Sequence, residues 1–313
     1  MLFYILRRLA ATVPVMLIVA VLVFLMLRLT PGDPAAIIAG DNANTEQVAE
    51  IRSRLGLDRP MVTQFFSWIG HLLQGDFGES FFFKKNVSEL ILSRLEPTLA
   101  LSVATTLIAV VVAVPLGVLA AYKHGTWIDR IVMGFSVLGF SVPVFVIGYA
   151  LIYVFAIKLN WVPVQGYQRI GDGFGGFLQR LILPSITLSV IYIALIARMT
   201  RTSVLEVLGE DYIRTARAKG QVEIKVLFSH ALKNAAVPIV TVIGLGVALL
   251  IGGVVVTESV YTIPGLGRLT VDAVLARDYP TIQAVILLFS LVYVMINLAV
   301  DLAYTLFDPR IRY

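Results

Sequence analysis

The chain has 313 residues, of which 58% are hydrophobic and only 14% are charged, and its formal net charge is +5. Soluble domains carry about one quarter charged residues, so this composition excludes an ordinary soluble protein and indicates a membrane protein. The absence of cysteine excludes disulfides and thiolate metal sites.

Six apolar runs of 17 to 27 residues recur along the chain, and none contains Asp, Glu, Lys or Arg. A transmembrane helix needs about 20 apolar residues to cross roughly 30 Å of hydrocarbon, and runs of this length are too long for barrel strands. The sequence therefore predicts an all-α integral membrane protein with six transmembrane helices. The runs are Leu9–Leu27, Leu99–Ala121, Ile131–Ile157, Leu181–Ala197, Ala235–Thr257 and Tyr279–Val300.

These runs divide the chain into three parts. Residues 1–30 form the N-terminal end and the first span, which we interpret as uncleaved because no small-x-small cleavage site precedes Pro31. Residues 31–97 are long enough to fold outside the membrane, as a packed lid or as a docking surface for something delivered from outside. Residues 98–313 hold the other five spans, with a charged segment at 198–235. Short helices are expected in the outer part at Thr45–Leu55, Met61–Leu73 and Leu90–Leu95.

The distribution of basic residues predicts the orientation. If the N-terminus is cytoplasmic, 13 of the 25 Lys and Arg residues lie in short inner segments. The long outer segment, 31–97, then holds six basic residues against nine acids and is net negative. Short loops rich in Lys and Arg stay inside, so both termini are predicted to be cytoplasmic. The net charge of +5 is thus explained by topology and by anionic lipid, and it predicts no nucleic-acid partner.

Helix breakers and one acid mark a candidate substrate pathway. Ser141 and Pro143 interrupt the third run, and interrupted helices often line a pathway, although passive scaffold helices carry them too. Glu258 follows the fifth run at the predicted outer mouth, close to Tyr261. A carboxylate there can meet a cationic group, and the alternative is a solvated loop acid. The candidate pathway residues are therefore Ser141, Pro143, Glu258 and Tyr261.

The segment Arg198–Lys233 between the fourth and fifth runs carries seven Lys or Arg residues and four acids. Such a segment cannot lie in hydrocarbon, so it projects on the inner side, where another protein can bind it. A helix there that presents Arg214 and Arg217 beside Asp211 can pair with charges on a partner. Apolar contact with that partner is expected from Tyr212, Ile213 and Ala216. The alternative is a solvated amphipathic helix that lies on lipid.

No catalytic or metal-binding pattern accompanies these features. His71, His124 and His230 fall in three different loops, and the sequence contains no G-x-x-x-x-G-K-[ST] phosphate loop. Ionisable residues within membrane depth would mark an ion pathway, and the six runs contain none. The sequence thus predicts no cofactor in this chain and argues against an ion-coupled secondary transporter. An intramembrane enzyme would need paired catalytic residues that the runs lack.

Motifs along nearly the whole chain resemble one family, the B-type inner-membrane permease of dipeptide and oligopeptide ABC importers. Each motif alone is weak, and together they are specific. They are Phe3–Arg8, Pro31–Pro34, Leu55–Asp58, Gly75–Gly78, Glu206–Gly220, His230–Ala235, Glu258–Arg268, Arg277–Pro280 and Asp308–Tyr313.

The resemblance implies a type I ABC importer permease fold in a bacterial cytoplasmic membrane. It also implies three kinds of protein partner: a second, homologous permease subunit, two cytoplasmic ATPases that bind ATP and Mg²⁺, and an extracytoplasmic substrate-binding protein. Substrates of the family include dipeptides, longer peptides, glutathione, nickel complexes and some oligosaccharides. A self-sufficient channel or secondary transporter remains the alternative from another class.

The family's ATPase-coupling motif carries over onto the inner segment, with its alanine at Ala216 and its glycine at Gly220. Arg214 stands where importers in general have an acid, and Lys233 stands where they have a proline. The peptide-importer branch resembles this chain at both positions. The residues implied in ATPase coupling are Glu210, Asp211, Tyr212, Arg214, Thr215, Ala216, Arg217, Lys219 and Gly220.

Overall fold

Helices form the regular secondary structure of the chain. The computed structural model describes residues 2–29, 35–36, 44–54 and 56–307, so the Pro31–Pro34 and Asp308–Tyr313 motifs and Leu55 lie outside the described residues. The α-helices are α1 Leu2–Leu29, α2 Thr45–Arg54, α3 Met61–Leu73, α4 Val87–Tyr122, α5 Trp127–Ser141, α6 Val144–Leu151, α7 Phe174–Leu208, α8 Asp211–Ala218, α9 Glu223–Lys225, α10 Ala236–Val260, α11 Leu266–Leu275 and α12 Tyr279–Phe307. Two further segments, Ile152–Lys158 and Val226–Leu232, are π-helical. The predicted all-α class is confirmed.

The apolar helices overlap the six predicted runs in order. Helices α4, α7 and α10 and the Tyr279–Tyr304 part of α12 are each long and apolar enough to cross a membrane. Helices α5 and α6 meet the same condition as a bent pair that extends to Lys158. The remaining run corresponds to a shorter apolar stretch of α1, Ala10–Met26. The structure is thus consistent with six transmembrane segments.

The third predicted span is divided by a bend. The axes of α5 and of the helix that starts at Val144 differ by 103°. Between them Val142 is extended, with φ −96° and ψ 123°. Extended backbone is favoured before a proline because the Pro143 ring clashes with a helical residue at that position. The sequence predicted an interruption at Ser141 and Pro143, and the structure places a complete helix break there.

The second span begins inside the predicted outer segment. Helix α4 starts at Val87, whose N–H donates to the carbonyl oxygen of Gly78 over 3.0 Å, and it runs through Pro97 to Tyr122. The predicted short helix at Leu90–Leu95 is therefore the first part of a long helix. The boundary placed between residues 97 and 98 falls within that helix. Helices α2 and α3 lie where the other two short helices were expected.

The chain forms two compact units. The first comprises Met1–Ser93 and Leu269–Val292. Within it, α3 packs on α1 through aromatic rings, since the Phe24 ring centroid lies 5.1 Å from that of Phe65 and 5.6 Å from that of Trp68. These contacts attach the amphipathic helix α3 to the first apolar helix.

The second unit comprises Arg94–Arg268 and Tyr293–Tyr313, and α7 supplies much of its core. Helix α7 has 35 residues and is therefore about 52 Å long, which exceeds the roughly 30 Å of membrane hydrocarbon. Its apolar run ends at Ala197, so the part from Arg198 to Leu208 projects beyond the hydrocarbon. The candidate coupling residues follow directly after this projection.

Candidate functional site

The coupling motif forms a separate short helix, α8, which starts at Asp211 and ends at Ala218. It begins after Glu210, whose backbone is extended, and it ends in a turn in which the Gly220 N–H donates to the Arg217 carbonyl over 2.9 Å. Gly220 has a φ of +75°, a left-handed conformation that glycine adopts without steric cost. The family's glycine thus occupies a position whose backbone requires it.

One side chain attaches α8 to the rest of the unit. Ile213 is fully buried, with 0% exposure, whereas Asp211, Tyr212, Arg214 and Thr215 are all exposed. Ile213 belongs to an apolar cluster at the ends of several helices, so it is not available for the contact with a partner that the sequence predicted. The other buried members are Val118, Ala121, Val204, Val226, Leu227, Ala231, Ala235 and Ile239. The buried Ile213 side chain therefore holds the short helix against the ends of α4 and α7, the segment Val226–Leu232 and the start of α10.

The opposite face of α8 is charged. The side chains of Asp211 and Arg214 are 94% and 74% exposed and form an ion pair of 3.3 Å. An exposed pair of this kind contributes at most about 1 kcal/mol to stability, so both groups are available to a partner. Lys219 and Gly220 are also exposed, and Ala216 is half-buried. The exposed face of α8 thus presents both acidic and basic groups, and the buried Ile213 on the other side holds the helix in place.

Arg217 connects α8 to the segment that follows it. Its Nη2 donates to Glu223 Oε1 over 2.6 Å, and its side chain remains 41% exposed. The Glu223 carboxylate holds the pKa of Arg217 above its ordinary value. Partial burial raises the pKa of the Tyr212 phenol, and the nearby Glu210 carboxylate adds to that rise. Both groups therefore keep their usual charge state at neutral pH.

An ion pair that the sequence analysis missed lies ten residues before α8. Arg201 donates to both carboxylate oxygens of Asp129, over 2.6 and 2.8 Å, and the Asp129 side chain is 6% exposed. The Gly125 N–H donates to the same carboxylate over 3.0 Å, and His124 Nδ1 lies 2.9 Å from Arg201 Nη2. The pair joins the first turn of α5 to the projecting part of α7. The signal available in the sequence was the position of Asp129, an acid only two residues before the apolar run Ile131–Ile157.

The four candidate pathway residues differ in their surroundings and in their exposure. Ser141 is exposed at the break between α5 and α6, where its hydroxyl donates to the Val137 carbonyl over 2.9 Å, and Pro143 precedes α6. Tyr261 is buried, and its hydroxyl lies 2.7 Å from Thr187 Oγ1. Glu258 is buried completely, with 0% exposure. The structure thus places Glu258 and Tyr261 in the protein core.

The Glu258 carboxylate is satisfied by hydrogen bonds within its unit, so it is not the solvated loop acid that one reading of the sequence allowed. Thr98 Oγ1 donates to it over 2.6 Å, and the Arg268 N–H donates over 2.9 Å. Thr98 Oγ1 in turn accepts the Leu266 N–H over 2.8 Å. These contacts join the end of α10 to α4 and to the start of α11. The sequence signal that was missed is the glycine pair on both sides of Leu266.

Close approach of backbone to this carboxylate explains one of those glycines. A methyl group added at Gly265 would overlap the Glu258 carboxylate. We expect Gly265→Ala to destabilise the protein by about 1–3 kcal/mol, the usual cost of overpacking a close-packed site. The measurement is thermal unfolding of the purified protein in detergent. Gly252→Ala is the matched control, because a methyl group there meets open space, and an equal loss of stability in both variants would contradict this assignment.

Two family models match most of the chain. The family described as "Binding-protein-dependent transport system inner membrane component" matches residues 113–313, and its N-terminal companion family matches residues 1–102. A probable peptide ABC transporter permease protein, y4tP of Sinorhizobium fredii, is 58% identical over 99% of both chains. The glutathione transport system permease protein GsiC of Salmonella choleraesuis is 47% identical over 100% of both chains.

A solved structure extends the agreement to the fold. An inward-facing form of the MetNI methionine ABC transporter contains a chain that matches with a TM-score of 0.56 and 19% identity. The match covers 70% of this chain and 96% of that one. The likeness concerns the fold alone, and it confirms the type I ABC importer permease fold that the sequence motifs implied. Since the two family matches cover residues 1–102 and 113–313, the protein belongs to the binding-protein-dependent transport system inner membrane components.

Proposed function

We propose that this chain is the membrane-spanning subunit of an ATP-driven importer that moves dipeptides or oligopeptides by alternating access. The observation that carries the proposal is helix α8, whose only fully buried residue is Ile213 and whose exposed face carries Asp211 and Arg214. A helix with one buried side and one charged, exposed side, at the end of the long helix α7, is suited to docking on a separate ATPase subunit. The peptide class of substrate is supported by the name of y4tP.

In this proposal α8 docks on one of two cytoplasmic ATPases, and both termini of the chain are cytoplasmic. A second permease subunit completes the pathway, and a soluble binding protein delivers substrate from outside. ATP and Mg²⁺ bind to the ATPases. Movement of an ATPase displaces α8, and the contacts of Ile213 and the Arg201–Asp129 pair pass that displacement to α4, α5 and α7. Coupling requires that the ATPases bind one packing of the spans more tightly than the other.

The test is purification of the chain from its native membrane in mild detergent. We expect two P-loop ATPases and a second six-span subunit to co-purify, and we expect the complex in proteoliposomes to take up a radiolabelled dipeptide only with ATP and the binding protein. Uptake by the isolated chain without nucleotide would instead support a self-sufficient transporter. Uptake of a nickel complex or an oligosaccharide, but of no peptide, would retain the mechanism and change the substrate.

A further inference from the structure

A short loop in the first unit, Ser80–Lys85, is held by hydrogen bonds between its own backbone groups. The Ser80 N–H donates to the Lys85 carbonyl over 2.9 Å, and the Lys84 N–H donates to the Ser80 carbonyl over 3.0 Å. Lys84 has a φ of +50°, a left-handed conformation that is unfavourable for a residue with a side chain. Such a conformation persists only where the surrounding contacts impose it.

A buried carboxylate supplies those contacts. Asp278 is 1% exposed and accepts hydrogen bonds from Ser80 Oγ over 2.5 Å, from the Phe81 N–H over 3.1 Å and from Thr281 Oγ1 over 2.7 Å. Ser80 Oγ also accepts the Phe83 N–H over 2.9 Å. The loop is thereby attached to the start of α12 through a group that has no access to solvent.

The tip of this loop presents one aromatic ring and two ammonium groups. Phe82 is 60% exposed, and its ring lies edge to face on the half-buried Phe83 with 4.9 Å between centroids. Lys84 and Lys85 are exposed, and neither forms an ion pair within the described part of the chain. The anchored loop thus exposes the Phe82 ring next to the ammonium groups of Lys84 and Lys85.

The fixed backbone favours a protein partner over a lipid surface. Lysine and phenylalanine side chains on a flexible segment bind anionic lipid equally well, so lipid binding gives no reason for a strained and anchored loop. Protein interfaces gain affinity from preorganised groups, in which an aromatic side chain fills a recess and charges around it select the partner. A protein surface complementary to this tip would have an apolar recess bordered by carboxylates.

We propose that the tip formed by Phe82, Lys84 and Lys85 is a docking point for the soluble substrate-binding protein. The inference rests on the proposed function, which places residues 31–97 outside the membrane, and the description of the matched family names a binding protein as a requirement of the transport system. Phe82 enters an apolar recess of that protein, and the two lysines pair with carboxylates at its edge. Asp278 holds the tip in the geometry that this contact needs.

The test uses the whole transporter in nanodiscs and the binding protein that stimulates its ATP hydrolysis. We expect Phe82→Ala to raise the dissociation constant of the binding protein about tenfold, and Lys84→Glu with Lys85→Glu to raise it by about tenfold or more at low ionic strength. Basal ATP hydrolysis and co-purification of the ATPases are expected to be unchanged. Arg59→Glu is the charge-matched control for Lys84→Glu alone, since Arg59 is exposed on the same outer segment.

Each outcome of this test bears on the proposal. Normal affinity of both loop variants in a transporter whose wild type binds and responds to the binding protein would overturn it. An affinity loss equal to that of Arg59→Glu would assign the effect to general charge and would also overturn it. Unchanged affinity with weaker binding to phosphatidylglycerol nanodiscs would assign the loop to lipid. A wild-type complex without ATPases would instead count against the proposed function itself.

Discussion

Substitution Arg217→Glu is expected to abolish the stimulation of ATP hydrolysis by substrate while leaving the membrane spans folded. In the wild-type chain Glu223 accepts a hydrogen bond from Arg217 over 2.6 Å. The substitution therefore removes a cation from the exposed side of α8 and places two carboxylates side by side. In the proposed complex Arg217 faces an ATPase, and reversal of a charge that pairs across an interface costs several kcal/mol, so the stimulation should fall about tenfold or more. The measurement is ATP hydrolysis by the purified complex with and without loaded binding protein.

The pairing of Arg217 with Glu223 allows a sharper control. Arg217→Glu combined with Glu223→Arg restores an ion pair within the chain but keeps the reversed charge on α8. If the ATPase binds Arg217, the double variant remains uncoupled and Arg217→Lys recovers part of the stimulation. Full recovery in the double variant would mean that Arg217 serves only the internal fold of the segment.

The second large effect is expected at Ile213, the apolar anchor of α8. Truncation to alanine removes a fully buried side chain and should cost the local structure about 2–5 kcal/mol, whereas Ile213→Val should cost about 0.5–1.5 kcal/mol. Ile213→Asp places a charge in the same apolar cluster and is expected to release α8 altogether. The readout is the amount of ATPase that co-purifies with membrane-inserted chain.

A matched variant outside α8 separates loss of the anchor from a general effect of the substitution. Ile224→Asp makes the same change at an isoleucine that is 69% exposed and should leave assembly unchanged, because its side chain is not buried. Thermal unfolding of the apolar helices should be similar in all these variants. Normal recovery of the ATPase with Ile213→Asp would show that α8 does not need this anchor to reach its partner.

Hydrophobicity along the chain was enough to predict the class of fold. Runs without charge have to form helices in hydrocarbon, because backbone groups there find no water, and the six runs overlap the apolar helices. The separate helix at Asp211–Ala218 also follows from local signals, which are an acidic start and a glycine at its end. Both predictions rest on residues that are close together in the sequence, so they can be made without knowing the tertiary structure.

The position of individual polar residues did not follow from the sequence. Glu258 follows an apolar run and resembles a loop acid, yet Thr98, 160 residues earlier, donates to it in the core. Arg201 belongs to a segment predicted to face water, yet it reaches back to Asp129, 72 residues earlier. Whether a charge is solvated or paired depends on which distant group comes within about 3 Å, and no local pattern contains that distance.

The sequence by itself determined that this protein lies in a membrane, how many apolar segments it has and which segment is too charged to stay there. Each segment that enters hydrocarbon must by itself be apolar and satisfy its own backbone hydrogen bonds, so these features can be read segment by segment. Only the tertiary structure decided that Ile213 anchors α8 and that Asp278 holds the Ser80–Lys85 loop. The two anchors are contacts between residues far apart in the chain, and they form only when packing brings the helices together.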